Sequence, residues 1–227
     1  MTPEVGRVRR LALAAAAGGA GPLAVYLKLV RPWTMRWGAT DEEVTRPLPG
    51  DHILPQPGFS ATRAITIAAR PEHIWPWPVQ MGSGRAGWYS YDRLDNAGVP
   101  SATEVLPQFQ HLQVGDLIPM VVGQPVGPHV RELEPDRRML WVTEDQLSWE
   151  WLLEPIGEQS TRLLNRIRGT YPPLWSRRMP YAIAASTGDI VMNRRQLRGI
   201  RARAERLAQA PNNALRPAAL PSAPVPR

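Results

Sequence analysis

Alternating apolar and polar positions predict a run of β-strands through the middle of the chain. Within residues 60–69, Ile65 and Ile67 fall on one face of an extended chain and Thr66 falls on the other. A period of two is typical of a strand with one buried face. Further strands, separated by turns rich in proline, glycine or acidic residues, are predicted at residues 114–122, 129–133, 139–143, 147–153 and 161–168.

The last two predicted strands carry their largest apolar side chains on one face. Trp149 and Trp151 share a face of one strand, and Leu163, Asn165 and Ile167 share a face of the other. This pattern predicts an antiparallel sheet with one buried face and one face in water. Asn165 on the buried face then needs hydrogen-bond partners, which protein, water or ligand can supply.

A long helix is predicted at residues 180–209. Its apolar residues recur three or four positions apart, and six arginines occupy the other positions. That spacing indicates one apolar stripe, which can lie across the open face of the sheet. The stripe consists of Ile190, Leu197, Ile200, Ala204 and Leu207. A shorter helix is predicted at residues 71–75, ended early by Pro76 and Pro78.

Residues 84–96 crowd three aromatic side chains, two aspartates and two arginines into thirteen positions without a helix or strand period. Glycines at 84 and 87 permit sharp turns of the backbone. Trp88, Tyr89 and Tyr91 carry more apolar area than a solvated loop leaves exposed. We therefore expect a loop folded against the body of the protein, over a cavity.

The N-terminal region combines basic residues with an apolar run. Arg7, Arg9 and Arg10 precede residues 11–30, a span about long enough to cross a bilayer. The expectation is a single membrane anchor in the cytoplasmic membrane. The alternatives are an export signal, cleaved after small residues near Ala20, and an amphipathic leader.

Composition and charge refine this organisation. The 227 residues contain no cysteine, so disulfides and thiolate metal sites are excluded. The formal charge of +7 is concentrated at the two ends, whereas residues 37–176 are net acidic. Such ends suit an anionic surface. No aromatic residues interleave with the arginines of the final helix, which favours a solvated face or lipid contact over nucleic acid.

The motifs point to no particular reaction. The glycine spacing of residues 82–87 matches a dinucleotide-binding motif, but prolines precede it and an antiparallel series follows, so no cofactor is expected. The four histidines lie far apart, which disfavours a metal site. Asp92 and Asp95 lie beside arginines and tyrosines in the sequence. One possible role is an acid or base at a cavity, and the more common role is turn capping and ion pairing. We therefore assign no catalytic residue.

Several short motifs together resemble an uncharacterised bacterial branch of the SRPBCC superfamily, the START-like polyketide cyclase/dehydrase and lipid transport proteins. The resemblance covers about residues 33–209. It is carried by Trp37-Gly-Ala-Thr-Asp, Leu48-Pro-Gly-Asp, Gln80-Met-Gly, Arg85-Ala-Gly-Trp-Tyr-Ser-Tyr-Asp, Val114-Gly-Asp, Ser148-Trp-Glu-Trp, Thr161-Arg-Leu and Arg195-Gln-Leu-Arg-Gly-Ile. The resemblance implies an α+β helix-grip fold, in which a curved antiparallel sheet wraps a long C-terminal helix and leaves an apolar cavity.

This yields a domain organisation. Residues 1–32 form the basic leader and hydrophobic segment, and residues 33–59 a linker rich in proline and glycine, extended over 46–58. Residues 60–209 form the helix-grip domain, and residues 210–227 a disordered tail rich in proline and alanine.

Three functions remain open at this point. The first is a non-catalytic carrier or sensor that binds a hydrophobic small molecule or lipid. The second is a cyclase-like or aromatase-like enzyme, in which Asp92 or Asp95 shuttles protons with Tyr89 or Tyr91. The third is a surface-interaction domain with a filled core. The predicted ligand contacts are Trp88, Tyr89, Tyr91, Asp92, Trp149, Trp151, Leu163, Asn165, Ile167, Met192 and Ile200.

Overall fold

The computed structural model describes residues 30–144, 147–171 and 179–210. In the last range it describes side chains from residue 189 onward. At the centre of the fold is one antiparallel sheet of five strands. The strands are β1 (Phe59–Ile67), β2 (His129–Glu134), β3 (Arg138–Thr143), β4 (Leu147–Pro155) and β5 (Thr161–Gly169). Their order in the sheet is β1-β5-β4-β3-β2, so the first and last strands of the sequence pair with each other.

The strand register places polar side chains in a row on the inner face of the sheet. Trp151 on β4 lies opposite Asn165 on β5, which lies opposite Arg63 on β1. In a neighbouring row Trp149 lies opposite Ile167. Opposed residues of an antiparallel pair point to the same face. Arg63 and Asn165 therefore share that face with the two tryptophans.

The predicted strands are confirmed within two residues at most of their ends, with one exception. Residues 114–122 do not form a strand and hold only isolated bridges, from Leu117 to His129 and from Val121 to Gln124. Pro119 has no backbone N–H to give to a ladder, and Gly123 turns the chain at φ 73°. The stretch is therefore a loop that folds over one end of the sheet.

A long helix lies across the inner face of the sheet, as the apolar stripe predicts. Leu197, Ile200 and Ala204 are fully buried and belong to the same apolar cluster as Ile65 and Leu163. The α+β helix-grip fold is thereby confirmed. The helices are α1 (Arg31–Met35), α2 (Asp41–Thr45), α3 (Pro71–Ile74), α4 (Pro76–Gln80), α5 (Asp92–Asp95) and α6 (Met179–Gln209).

The short helix predicted at residues 71–75 is confirmed as α3, which ends at Ile74, just before Pro76. A second helix, α4, was not predicted, and Pro76 and Pro78 occupy its first turn. The first N–H groups of a helix have no partner within it, so proline costs little at these positions. Trp77 and Val79 of α4 are consequently buried in the core.

The segment expected to be an extended linker is folded instead. Residues 33–59 include parts of α1, all of α2 and a 3-10 helix at Pro49–Ile53. Thr40 and Glu43 form a capping box at the start of α2. Leu48 packs against Leu152 and Leu164 on the outer face of the sheet. The prolines and glycines of residues 33–59 therefore define turns of a packed segment, the cover, rather than of an extended linker.

That cover also corrects the expectation of one wet sheet face. Glu150 and Arg166 point outward, yet both are buried under the N-terminal segment. The Gly50 N–H donates to Glu150 Oε1 at 3.1 Å, and Arg166 Nη1 forms an ion pair with Asp51 at 2.8 Å. Arg166 Nη2 also donates to the carbonyl of Glu43 at 2.6 Å. The charges are buried because the cover supplies their partners.

No helix in the described part of the chain is long and apolar enough to cross a membrane. The apolar run at residues 11–30 lies outside the described residues, apart from Val30. The predicted disordered tail at residues 210–227 also lies outside them, apart from residue 210. The anchor, its alternatives and the tail therefore stay predictions.

Candidate functional site

A cleft of about 480 Å³, the main cleft, opens between the inner face of the sheet, α6 and two loops. Trp88 and Trp149 form one wall, and Met192, Asn193 and Gln196 of α6 form the other. The two loops contribute apolar side chains at the mouth, which are Leu94, Ala97, Met120, Val121 and Val122. The main cleft thus lies where the sheet and the helix diverge.

A second cavity of about 340 Å³, the side cavity, borders the main cleft. Both are lined by Met120, Trp149 and Asp189. Ile167 and Arg63 also line the side cavity, in walls that are otherwise largely apolar. Together the two cavities provide a continuous apolar boundary with a few polar groups, which is the usual composition of a small-molecule site.

Four tryptophans form the aromatic wall. Trp88 stacks on Trp149 with ring centroids 6.1 Å apart and planes 3° apart, and Trp149 stacks on Trp151 at 5.4 Å. Trp141 meets Trp149 and Trp151 edge to face. Trp88 Nε1 donates to Ser83 Oγ at 3.1 Å. The indole N–H groups of the other three are buried without an acceptor, so the wall retains unused donors.

A chain of buried amides connects the main cleft to the sheet. Asn193 Nδ2 donates to Asn165 Oδ1 at 2.9 Å and to Gln196 Oε1 at 3.3 Å. Asn193 Oδ1 is buried without a hydrogen-bond donor. An unpaired buried carbonyl costs about 1–3 kcal/mol. Asn193 therefore offers a ligand one acceptor that the protein leaves unused.

Arg63 is the cationic group of the side cavity, with a side chain only 1% exposed. Its Nε donates to the Thr34 carbonyl at 3.0 Å, and its Nη1 pairs with Asp189 Oδ2 at 2.5 Å. Its Nη2 is buried without an acceptor. Asp189 balances the charge, and the free nitrogen remains a donor for an oxygen atom in the cavity.

Asp95, at the end of α5, places a carboxyl group at the wall of the main cleft. Both carboxylate oxygens are buried, and interactions with the Ser90 side chain and with the backbone at Tyr91 and Asp95 only partly offset that burial. Burial raises the pKa of the Asp95 carboxyl, and the nearby charge of Asp92 raises it further. Among the described residues, no group of three or more histidine, aspartate or glutamate side chains is arranged to hold a metal ion.

The aromatic loop is folded against the body as predicted, but its side chains divide between different sites. Trp88 lines the main cleft. The buried Tyr89 hydroxyl accepts from Gln80 Nε2 at 3.0 Å and donates to the Trp77 carbonyl at 3.1 Å, and burial raises its pKa. Tyr91 is exposed. Tyr89 and Tyr91 therefore do not meet Asp95 in the main cleft.

The other predicted contacts also separate. Trp149 and Met192 line the main cleft, and Trp149 and Ile167 line the side cavity. Asn165 does not line the main cleft, but it accepts a hydrogen bond from Asn193, which does. The remaining residues pack in the core and line neither cavity, namely Trp151, Leu163 and Ile200. Asp92 accepts a hydrogen bond from Ser101 Oγ and lines a separate pocket.

Arg63, Asn193 and Gln196 are site residues that the sequence interpretation missed. A signal for two of them exists in the periodicity. Arg63 falls on the same face of β1 as Ile65, so a period of two places its charge inside. Asn193 falls within the apolar stripe of α6, three residues after Ile190. Polar residues inside an apolar period indicate a buried polar function.

Comparisons with known proteins give remote similarities to solved structures. No protein-family model and no curated protein matches this sequence. A protein from Thermobifida fusca is 13% identical over 65% of this chain and 94% of its own, with a TM-score of 0.40. The polyketide cyclase-like protein Cgl2372 from Corynebacterium glutamicum is 17% identical over 66% of this chain and 89% of its own, with a TM-score of 0.32.

CalU16 from Micromonospora echinospora is 16% identical over 66% of this chain and 85% of its own, with a TM-score of 0.30. Of these similar structures, Cgl2372 is the one whose name describes it as polyketide cyclase-like. At these identities and TM-scores no ligand or activity is transferred to this chain. The two cavities alone therefore indicate what the protein binds.

Proposed function

We propose that the protein binds a largely apolar small molecule in the main cleft and the side cavity. One observation carries the proposal. Three residues that line these cavities hold buried polar atoms without partners: Arg63 Nη2, Trp149 Nε1 and Asn193 Oδ1. Buried polar groups are ordinarily satisfied, so a ligand with complementary polar atoms is their natural partner.

The size and the charge of the site define the class of ligand. Volumes of about 480 and 340 Å³ fall in the range of small-molecule sites, about 300–1,000 Å³. The free nitrogens of Arg63 and Trp149 call for an oxygen acceptor, such as a carbonyl, a hydroxyl or a carboxylate. Asn193 Oδ1 calls for a donor, such as a hydroxyl. An apolar ring system or chain with oxygen substituents has these properties.

Binding without chemistry is the role that we favour, and the Asp95 carboxyl supports an acid or base as the second candidate. Of the two acids that line the cavities, Asp189 is paired with Arg63, whereas Asp95 forms no ion pair with a described residue and has a raised pKa. The open volume does not favour the third function, a surface-interaction domain with a filled core. Membrane association through residues 11–30 remains a separate proposal.

A fluorescence titration with N-phenyl-1-naphthylamine tests whether the main cleft binds apolar molecules. Val122 lines the mouth of the cleft, whereas Val126, in the same loop, does not. We expect saturable binding to the full chain, at least tenfold weaker in Val122→Trp and unchanged in Val126→Trp. Equal affinity of all three proteins would show that the probe binds elsewhere.

The two candidate roles differ in what Asp95→Asn changes. In a binding protein this substitution leaves probe affinity within about twofold, since an amide has the size of the carboxyl group that it replaces. In an enzyme it abolishes turnover of a bound substrate and leaves binding intact. Turnover of a co-purified compound that depends on Asp95 would replace the binding role with the enzymatic one.

A further inference from the structure

A third concave site of about 470 Å³, the arginine pocket, lies on a different face of α6 from the main cleft. Four arginines of that helix line it, together with residues of α1 and the aromatic loop. The arginines are Arg194, Arg195, Arg198 and Arg203. The arginine pocket shares only Ser90 with the main cleft, so its properties can be tested separately.

Positive charge in the arginine pocket is not balanced by carboxylates. No described carboxylate lies within ion-pair distance of any of the four arginines. Arg195 Nε donates to the Ser90 carbonyl at 3.1 Å, and Arg203 Nε donates to the Ala102 carbonyl at 2.8 Å. Asp92, the one acid of the lining, accepts from Ser101. Four guanidinium groups therefore face one carboxylate, which favours an anionic partner.

Aromatic faces hold the guanidinium groups in place. Arg194 and Arg198 lie over the Trp37 ring, at 5.4 and 5.6 Å from its centroid. Arg195 lies over the Tyr91 ring at 4.9 Å. Arg194 Nε is buried without an acceptor. Cation-π contacts orient the arginines but leave most of their N–H donors free for oxygen atoms of a partner.

The rim of the arginine pocket is apolar and exposed. Trp33 is 51% exposed and Val191 is 56% exposed. A surface that combines arginines with exposed tryptophan and aliphatic side chains is typical of contact with a membrane interface. Nucleic acid offers the same phosphate charge but no apolar layer for Val191. The mixture therefore favours lipid.

The position along the chain supports the same partner. Trp33 belongs to α1, which begins at Arg31, directly after the apolar run of residues 11–30. We infer that the arginine pocket binds the phosphate groups of an anionic phospholipid surface, with Trp33 and Val191 entering the interface. This inference does not depend on a ligand in the main cleft.

Because the chain has no cysteine, a single reporter can be placed at will. The full-length variant Val191→Cys, labelled with bimane, is mixed with vesicles of phosphatidylcholine alone or with added phosphatidylglycerol. Ile156→Cys, exposed in the β4–β5 turn, is the control reporter. We expect a blue shift at position 191 on vesicles containing phosphatidylglycerol, and no shift at position 156.

Charge variants then test the arginines. One basic side chain near an anionic surface improves partitioning by about fivefold, so removing two costs about 25-fold. Arg194→Gln with Arg198→Gln should raise the lipid concentration for half-maximal shift by that factor. Arg131→Gln with Arg137→Gln, on β2 and the β2–β3 turn, should leave it unchanged.

Two results would overturn the inference. One is a shift at position 191 that is equal on neutral and anionic vesicles, or unaffected by the Arg194 and Arg198 substitutions. The other is a bimane shift at position 191 that a single-stranded oligonucleotide causes and anionic vesicles do not. That result would assign the pocket to nucleic acid.

Discussion

Arg63 on β1 pairs with Asp189 on α6 at 2.5 Å, and this ion pair joins the sheet to the helix at the side cavity. The same guanidinium donates to the Thr34 carbonyl of α1, so three elements meet at one side chain. A buried arginine is expensive unless its donors are paired. Its remaining free nitrogen, Nη2, is consequently the strongest indication of where a polar group of the ligand binds.

Arg63→Met should weaken binding of ligands that present an oxygen acceptor. A hydrogen bond to a charged group contributes about 1.5–3 kcal/mol, which corresponds to about 10- to 150-fold in affinity. Prodan has a ketone oxygen, whereas N-phenyl-1-naphthylamine has no oxygen. We expect Arg63→Met to lose Prodan affinity by at least tenfold and to keep the affinity for the other probe within about twofold. Equal loss of both affinities would indicate a general collapse of the cavity.

Trp151 and Met192, both predicted as ligand contacts, should behave differently on truncation to alanine. Trp151 is buried in the core, so Trp151→Ala should lower the free energy of unfolding by about 3–5 kcal/mol. Met192 is only partly buried at the wall of the main cleft, so Met192→Ala should cost about 1 kcal/mol or less. Urea unfolding measures both values. A similar cost for the two variants would contradict the distinction between core and cleft wall.

Arg166 should be among the most stabilising polar residues of the outer sheet face. It pairs with Asp51 and donates to Thr62 Oγ1 at 2.9 Å and to the Glu43 carbonyl at 2.6 Å. Arg166→Met leaves these partners buried and unpaired, at a cost of about 3–5 kcal/mol. Arg131→Met, exposed on β2, is the control and should stay within about 0.5 kcal/mol. Small and equal effects would show that residues 43–51 are not a packed cover.

Asp95→Asn should stabilise the protein in a pH-dependent way. Burial raises the pKa of Asp95 in the folded state, so the folded chain binds its proton more tightly than the unfolded chain does. The Asp95 carboxyl therefore contributes to the free energy of unfolding at pH values below its pKa in the unfolded chain. This contribution is lost as the pH rises through its pKa in the folded chain.

An asparagine at position 95 never ionises. The variant should consequently have a higher free energy of unfolding than the wild type at pH 7, and the difference should disappear below about pH 3.9, the pKa of an unfolded aspartate. Urea unfolding across this pH range measures the difference, with Glu158→Gln in the exposed β4–β5 turn as the control. A constant difference at all pH values would contradict the burial of an ionised carboxyl.

Periodicity predicted the parts of the fold in which one side of an element meets the core. The alternation around Ile65 and Ile67 located β1, and the stripe through Leu197 and Ile200 located α6. These apolar periods can be read from the sequence because every turn of a helix or pleat of a strand places a residue against the core. Element type and order were therefore available from the sequence.

The burial of the outer sheet face and the lining of the cavities could not be predicted from sequence periodicity. Glu150 and Arg166 look like exposed residues in an alternating strand, because the cover that buries them is distant in sequence and rich in proline and glycine. The main cleft is lined by Leu94, Val122 and Met192, which only tertiary packing brings together. A core residue such as Trp151 and a cleft residue such as Trp149 have the same period and differ only in what lies above them.

Native mass spectrometry of the purified full-length chain, followed by denaturing extraction, tests whether the main cleft holds a ligand. We expect one small molecule bound per chain, largely apolar and with oxygen substituents. That molecule should be retained by Val126→Trp and lost from Val122→Trp. A chain that is empty in all three forms, and that also fails to bind N-phenyl-1-naphthylamine saturably, would contradict the claim that the main cleft is a ligand site.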